Sequence, residues 1–246
     1  MKTYVLGNWK SHGGTALVAA FRQMFETYDP ACPQGFQRGL ALPFHLLQPD
    51  AAFHHALLGA QNVSAFGKGA YTGEIAATML ADTSASFCLV GHSERRQYFG
   101  ETPAVTAEKL ARLEPAGILP VFCIGETLAE REAGSLEAVL KAQLEPVAQA
   151  PPKQEIVIAY EPVWAIGTGV AAKPDDVVGA HKRIKAMLVA MGRPDTAVLY
   201  GGSVKPENAR TLGEIAQVDG FLIGGASLKT EAFQAILEAF LTAKAS

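Results

Sequence analysis

Eight short apolar runs recur along the chain, and longer segments with helical spacing lie between several of them. The helical segments carry apolar residues three and four positions apart, as Leu17, Phe21, Met24 and Phe25 do before the second run. Strands that alternate with helices predict βαβ units and a parallel sheet of the α/β class. Eight such units in about 250 residues fit a closed (β/α)8 barrel. The runs are centred near Val5, Leu40, Leu58, Leu89, Val121, Ile158, Leu199 and Leu222.

The chain has no low-complexity linker, so we expect residues 1–246 to form a single barrel domain. The strongest break is Pro151-Pro152, which is short and lies where a helix must turn into the sixth strand. An open doubly wound sheet usually has fewer strands and a dinucleotide-binding loop. No Gly-x-Gly-x-x-Gly follows the first run, which favours the barrel.

Composition limits the classes of function. With 49% hydrophobic residues, 18% charged residues and a net charge of -3, the chain is typical of a soluble protein without a basic surface for nucleic acid. No stretch of about 18 apolar residues predicts a membrane span, and residues 1–10 lack the apolar region of a signal peptide. Cys32, Cys88 and Cys123 are widely spaced in apolar contexts, so we expect reduced core residues of a cytoplasmic protein. We expect no metal and no cofactor, and neither nucleic acid nor membrane as a partner.

One carboxylate, Glu161, stands where the sixth run gives way to a loop with glycines at its tip. The run at residues 155–160 is β-branched and apolar, and Pro162 ends it because proline has no N–H to donate. The N–H groups of Gly167 and Gly169 can approach an anion closely. A carboxylate beside a mobile, anion-binding lid suits proton abstraction from a phosphorylated substrate. The alternative is a strand-end glutamate that pairs with a nearby lysine, followed by an ordinary turn.

Polar residues follow most of the other predicted strands. The carboxyl ends of the strands share one rim in a (β/α)8 barrel, and active sites are built there, so we expect these residues to converge. The glycine pairs after the last two strands match a phosphate site that is common at this position. The rim residues are Asn8 and Lys10 after the first strand, His92 and Glu94 after the fourth, Glu126 after the fifth, Glu161 after the sixth, Ser203 after the seventh, and Gly224 and Gly225 after the eighth.

Each of these groups also has a structural interpretation. Lys10 is either a surface charge or, at the end of a strand, a group that binds an anion. Gly91 ends the fourth strand and Ser93 opens a helix, so His92 lies near the positive end of that helix. This position should lower the pKa of His92 and favour a neutral imidazole. Glu94 is either a first-turn acid favoured by the helix dipole or a partner of Lys10.

Eight motifs occur in order between residue 4 and about residue 240. They are Asn8-Trp9-Lys10, Gly59-Ala60-Gln61-Asn62, Tyr71-Thr72-Gly73-Glu74, Gly91-His92-Ser93-Glu94-Arg95-Arg96, Cys123-Ile124-Gly125-Glu126, the segment 158–169 that contains Glu161, Tyr200-Gly201-Gly202-Ser203 and Leu222-Ile223-Gly224-Gly225. Together they resemble the triosephosphate isomerase family. The combination is highly specific, although each glycine pair alone is not. The resemblance implies a TIM barrel.

The resemblance also implies interconversion of dihydroxyacetone phosphate and D-glyceraldehyde 3-phosphate, in glycolysis and gluconeogenesis. In such enzymes the residue that matches Glu161 moves the proton between two carbons. The residue that matches His92 polarises the carbonyl and shuttles protons between oxygens; a glutamate base beside a neutral histidine is the established pairing in this family. Lys10, assisted by Asn8, would bind the substrate and support the enediolate charge. The phosphate would accept hydrogen bonds from the N–H groups of Gly167, Ser203, Gly224 and Gly225.

A lid over residues 162–172 is a further implication, since closure would protect the enediolate from losing its phosphate. Ile166 and Leu222 would desolvate Glu161 and make it more basic. The supporting residues would be Pro162, Trp164, Glu126 and two latching pairs of the closed lid, Tyr200 with Ala172 and Ser203 with Gly169.

Residues 63–74 resemble the long loop after the third strand, which inserts into the neighbouring subunit in this family. The residue that matches Thr72 approaches the partner's active site there, and we assign Gln61 and Asn62 to the same contact. The loop is not shortened, so we predict a homodimer. A mobile surface loop is the alternative, but it would leave three glycines and two aromatic residues undocked.

Two segments depart from the family pattern. Ser11-His12 stands where Met-Asn is usual, so His12 lies near the site without an assigned role. Val170-Ala171-Ala172 replaces the usual Lys-Thr-Ala at the end of the lid, which leaves the rate of lid motion open.

Two other functions compete with this interpretation. One is a barrel isomerase for a larger sugar phosphate, against which the bulky lid residues Trp164 and Ile166 argue. The other is a non-catalytic barrel that binds phosphate. Such a protein would be expected to have lost Glu161, His92 or Lys10, and all three are present.

Overall fold

Eight parallel strands close into a barrel in the computed structural model, which describes residues 2–28, 32–48, 53, 55–166 and 172–245. The strands pair in sequence order, and the first also pairs with the last, with Val5 aligned to Phe221. All eight predicted strand centres lie within these strands, so the predicted barrel is confirmed. The strands are β1 (Thr3–Asn8), β2 (Phe36–Leu42), β3 (Leu57–Ala60), β4 (Ala85–Val90), β5 (Leu119–Ile124), β6 (Val157–Tyr160), β7 (Val198–Tyr200) and β8 (Gly220–Ile223).

Helices cover the outside of the barrel, and several begin with clear start signals. The Thr102 side chain accepts a hydrogen bond from the N–H of Val105, and the Thr127 and Glu130 side chains form a reciprocal capping box. The α-helices are α1 (Thr15–Thr27), α2 (Ala77–Ala81), α3 (Ser93–Phe99), α4 (Pro103–Leu113), α5 (Leu128–Glu132), α6 (Leu136–Gln149), α7 (Pro174–Ala190), α8 (Pro206–Gly213) and α9 (Thr230–Ala245). Single 3₁₀ turns occur at Phe44–Leu46, Val163–Ala165 and Gly225–Leu228.

Two apolar layers hold the barrel together. Successive residues of a strand point to opposite faces, so each strand contributes to both layers. Leu6, Leu89 and Leu199 belong to the smaller, inner cluster. Val5 and Val198 belong to the larger cluster, which also contains the apolar faces of the helices. The strand ends at the rim are therefore fixed from both sides.

The ends of β5 and β6 approach each other closely at the rim. A Cβ at Gly125 would lie only 1.8 Å from the carbonyl oxygen of Glu161, so only glycine fits there. The N–H of Glu161 donates to the carbonyl of Ile124 at 2.7 Å. These contacts fix the backbone of Glu161 at the carboxyl end of the barrel.

The cysteines only partly follow the sequence expectation. Cys88 and Cys123 are buried, but Cys32 is exposed, so the prediction of a core position was wrong for Cys32. Its segment lies between α1 and β2, outside the two apolar layers. Within the described ranges, no group of three His, Cys, Asp or Glu side chains could hold a metal ion. No helix in the same ranges is long and apolar enough to cross a membrane.

A fully buried histidine, His181 of α7, lies behind the active-site end of β6 and β7. Its ring is perpendicular to that of Tyr160 at 5.7 Å and tilted against that of Tyr200 at 6.4 Å. Nδ1 lies 3.1 Å from the carbonyl oxygen of Gln217, and Nε2 is buried without a hydrogen-bond partner. Burial lowers the pKa of His181 to about 4.

We predict that His181 makes the protein less stable as the pH falls from 7 to 5. The unfolded chain binds a proton near pH 6.5, whereas the folded chain does not bind it until about pH 4. Protons therefore favour the unfolded state, and the free energy of unfolding should fall by about 2 kcal/mol over this range. His181→Gln should flatten this part of the profile in denaturant titrations at fixed protein concentration. An equal pH slope in both proteins would contradict the assignment.

Candidate active site

The carboxyl ends of the strands surround a cavity of about 520 Å³. Most of the rim residues predicted from the sequence meet here, although they come from five different strand–helix loops. The predicted residues in its lining are Asn8, Lys10, His92, Glu161, Ile166, Ser203, Leu222, Gly224 and Gly225. Glu94 joins the group through an ion pair with Lys10. Gly167 and Gly169, predicted for the phosphate and the lid, lie outside the described residues.

Glu161 is buried and is held by two groups from the end of β4. The backbone N–H of Ser93 donates to Oε2 at 3.0 Å, and His92 Nε2 lies 3.0 Å from Oε1. Burial raises the pKa of Glu161, but His92 and the N–H of Ser93 outweigh burial, so the net pKa lies well below its usual range. The expectation of a more basic carboxylate is therefore wrong for this conformation. Sequence reasoning considered only the apolar neighbours and not the two donors.

His92 caps helix α3 with its own side chain. The backbone N–H of Glu94 donates to Nδ1 at 3.2 Å, so in the neutral ring the proton sits on Nε2, which faces Glu161. Burial lowers the pKa of His92, but the carboxylates of Glu161 and Glu94 together raise it by more. The predicted downward shift is thus wrong for this conformation, because the helix end acts together with a carboxylate that the local sequence does not reveal.

Lys10 occupies the left-handed region of backbone space, with φ of 52°, which is uncommon for a residue with a Cβ. Its N–H donates to Asn8 Oδ1 at 2.9 Å, and its Nζ pairs with Glu94. Its carbonyl oxygen accepts a hydrogen bond from Gln61 Nε2 at 2.8 Å. The amino group therefore enters the cavity from a tightly held backbone.

Glycine turns after β7 and β8 form another part of the cavity lining, and a Cβ at Gly224 would lie 3.7 Å from Lys10 Cε. Gly224 precedes the 3₁₀ turn Gly225–Leu228, where the N–H of Ser227 donates to Gly224 O at 2.8 Å. A Cβ at Gly202 would lie 2.2 Å from the Tyr200 hydroxyl, so glycine is required beside Ser203. A turn of this kind presents backbone N–H groups to an anion without a bulky side chain.

Sequence comparison with known proteins points to the same family as the motifs described above. The sequence model of the triosephosphate isomerase family matches residues 3–240. The chain belongs to this family. A triosephosphate isomerase from Xanthomonas campestris pv. campestris is 45% identical over 243 residues, with 96% of each chain covered. One from Cupriavidus pinatubonensis is 46% identical, covering 94% of this chain and 97% of its own, and one from Delftia acidovorans is 44% identical, covering 97% and 98%.

Glu126 holds the start of the segment that forms the lid in this family. Its carboxylate is fully buried and accepts hydrogen bonds from the Tyr160 hydroxyl at 3.0 Å and from Trp164 Nε1 at 2.7 Å. Arg131 lies over the Trp164 ring at 4.3 Å and pairs with Asp176, in the first turn of α7, at 2.5 Å. Arg131 thus connects the two ends of the segment.

Two residues predicted to narrow the pocket line different spaces. Ile166 lines the main cavity, whereas Trp164 lines a separate cleft together with Ser93 and Gly125. Ala172 packs against the outer apolar layer, which includes Tyr200. The latch between Ala172 and Tyr200 stays a prediction, and so does the latch from Ser203 to the undescribed Gly169.

Several residues that line the cavity were not assigned a role from the sequence. Lys205 and Lys229 line the cavity, and the unassigned His12 lines it as well. The two lysines follow glycine turns at strand ends, so the rim rule could have found them. Arg131 carries no comparable signal, since its partners are distant in sequence. Gln61, assigned to the dimer contact, donates to the carbonyl oxygens of Lys10 and Ala41 of its own chain. Asn62, assigned to the dimer contact, accepts a hydrogen bond from Lys109 Nζ of its own chain at 2.6 Å.

Proposed function

We propose that this chain interconverts dihydroxyacetone phosphate and D-glyceraldehyde 3-phosphate through an enediolate, in glycolysis and gluconeogenesis. The observation that carries the proposal is the contact between a buried carboxylate, Glu161, and the Nε2 face of His92 in a cavity that also contains Lys10. Membership of the triosephosphate isomerase family supports the same reaction.

Substrate binding would use both the glycine turns and the polar side chains that line the cavity. The phosphate would accept hydrogen bonds from the backbone N–H groups of Ser203, Gly224 and Gly225, and of Gly167 in the lid. Neutral donors suit a phosphate that must bind without reacting. Asn8 and the Lys10 amino group would hold the oxygens of the reacting carbons. Lys10 supplies the positive charge that the enediolate requires.

In the ligand-free conformation, Glu161 is held by His92 and the N–H of Ser93. It would have to leave these two partners before it could take a proton from the substrate. The substrate carbonyl would take the Nε2–H of His92 as its donor, so the carboxylate would lose that contact and move to the substrate carbon. Without the two donors, burial would outweigh the more distant charge of Arg96 and raise the pKa of Glu161, which would make it a stronger base. Without the carboxylate, burial lowers the pKa of His92, which favours the neutral ring as a hydrogen-bond donor.

In the second half of the proposed reaction, the protons would return to the carbon and oxygen atoms of the substrate. The Glu161 carboxyl group would give its proton to the neighbouring carbon, while His92 moves a proton between the two oxygens of the enediolate. Ile166 would exclude water from the reacting carbons, because it lines the cavity beside Glu161. Glu126 and Arg131 would set the position of the lid through Trp164 and Asp176.

We predict that Glu161→Ala lowers kcat by about 10²–10⁴-fold in a coupled assay with D-glyceraldehyde 3-phosphate, because the general base is removed. The exposed Glu132→Ala on helix α5 serves as the matched control and should keep full activity. Phosphoglycolate, which mimics the enediolate, should bind the native protein far more tightly than inorganic phosphate does. A folded native protein with neither turnover nor this preference would instead be a phosphate-binding barrel. Equal turnover in Glu161→Ala would show that the base is wrongly assigned.

We also propose that the protein is a homodimer held in part by residues 63–74. Phe66 and Tyr71 are 49% and 44% exposed, and their rings stack at 4.3 Å, so this loop presents an ordered apolar surface. Tyr98 and Phe99 at the end of α3 are also exposed. Exposed aromatic groups of this size are typical of a surface that another protein covers. Thr72 would then approach the active site of the partner.

We predict that Tyr71→Lys shifts the protein toward monomer and lowers kcat, because a charge would have to be buried in the interface. Val189→Lys is the control, since Val189 is exposed on helix α7, away from this loop. Sedimentation velocity and an activity titration against protein concentration measure both effects. A native protein that sediments as a monomer at assay concentrations would contradict the proposal.

Finally, we propose that the protein acts in the cytoplasm. The proposed substrates carry a charged phosphate group, which does not cross the apolar core of a bilayer unaided. An enzyme whose substrate and product are both glycolytic intermediates therefore has to lie in the same compartment as they do.

A further inference from the structure

The backbone of Lys10 needs external support. Its φ of 52° is sparsely populated for residues other than glycine, asparagine and aspartate, and such a conformation persists only where the surroundings enforce it. The direction of the Lys10 side chain follows from this backbone. A relaxed backbone would send the amino group elsewhere and out of line with the substrate oxygens.

Two polar side chains hold the two sides of this residue. Asn8 Oδ1 accepts the N–H of Lys10 at 2.9 Å, and Gln61 Nε2 donates to the Lys10 carbonyl at 2.8 Å. Gln61 Nε2 also donates to the carbonyl of Ala41, the β2 residue aligned with Asn8, at 3.1 Å. The same Ala41 carbonyl accepts the N–H of Trp9 at 3.1 Å. Gln61 therefore connects the loop after β1 to the end of β2.

We propose that Gln61 is a positioning residue for Lys10, which acts on catalysis through the backbone carbonyl of that lysine. The inference rests on the proposed isomerase function, since it assigns to Gln61 a part in the same site. It also replaces the sequence-based assignment of Gln61 to the dimer contact. Gln61 and Lys10 belong to the same subunit, so the proposed role does not depend on a partner chain.

The chemistry of the contact requires an amide. Two carbonyl oxygens face the end of the Gln61 side chain, and only a group with two N–H donors satisfies both. Glutamate has the same length but offers acceptors, so it would repel both carbonyls. Methionine has nearly the same shape but offers no donor, and asparagine is one methylene shorter.

The first test compares kinetics in two matched variants. Gln61→Met should raise KM and lower kcat, with a combined loss of about 10- to 100-fold in kcat/KM, as expected when a catalytic group is slightly misplaced. Gln154→Met is the control, because Gln154 is also buried and donates to a backbone carbonyl, that of Leu110, at 2.9 Å. It lies at the amino-terminal end of the barrel, so it should lower thermal stability while kcat and KM stay unchanged.

The deciding test asks whether Gln61 acts through Lys10. Phosphoglycolate affinity is measured by NMR titration, which also detects millimolar binding, for the native protein, Gln61→Met, Lys10→Met and the double variant. If Gln61 only positions Lys10, Gln61→Met should weaken binding in the native background and change it less than about 2-fold in Lys10→Met. Equal weakening in both backgrounds would overturn the inference. If Gln61→Met does not fold, the same four affinities are measured with Gln61→Glu in its place.

Three outcomes are distinguishable. A loss of activity in Gln61→Met that is restored by raising the protein concentration would assign the residue to the dimer contact and overturn the inference. A folded native protein that neither isomerises triose phosphates nor binds phosphoglycolate would refute the proposed function, and this inference with it. Native activity together with additive effects in the cycle would refute the inference alone.

Discussion

The contact between His92 and Glu161 joins the ends of two strands that are far apart in sequence, and much of the active site is arranged around it. Gly91 turns the chain at the end of β4 so that His92 caps α3 and Ser93 presents its N–H to the carboxylate. Gly125 lets the end of β5 touch the backbone of Glu161. A barrel that closed with a different register would separate these groups.

This contact also shifts the pKa of both residues. Each group is buried, and burial alone would disfavour the charged form of either. Facing each other, the imidazole lowers the pKa of Glu161 and the carboxylate raises that of His92. A substrate that separates them would reverse both shifts at once, so the strong base and the neutral electrophile would appear only when the cavity is filled. Lid closure, steadied by Glu126 and Arg131, would complete the exclusion of water.

The barrel could be predicted from the sequence because the alternation of short apolar runs with helical segments depends on local periodicity. The rim residues could be predicted because the carboxyl ends of parallel strands share one edge. The pKa directions of His92 and Glu161 could not, since each depends on a group from another strand. Gln61 and Trp164 show the same limit: their partners, Lys10 and Glu126, lie far away in the sequence. The exposure of Cys32 was also missed, because its apolar neighbours suggested a core position.

The most direct test of this account is the titration of His92, followed by ¹⁵N NMR in the native protein and in Glu161→Gln without ligand. If the carboxylate raises the pKa of His92, the variant should show a lower pKa at this ring. A His92 pKa that is unchanged or higher in Glu161→Gln would show that the two groups do not control each other's charge.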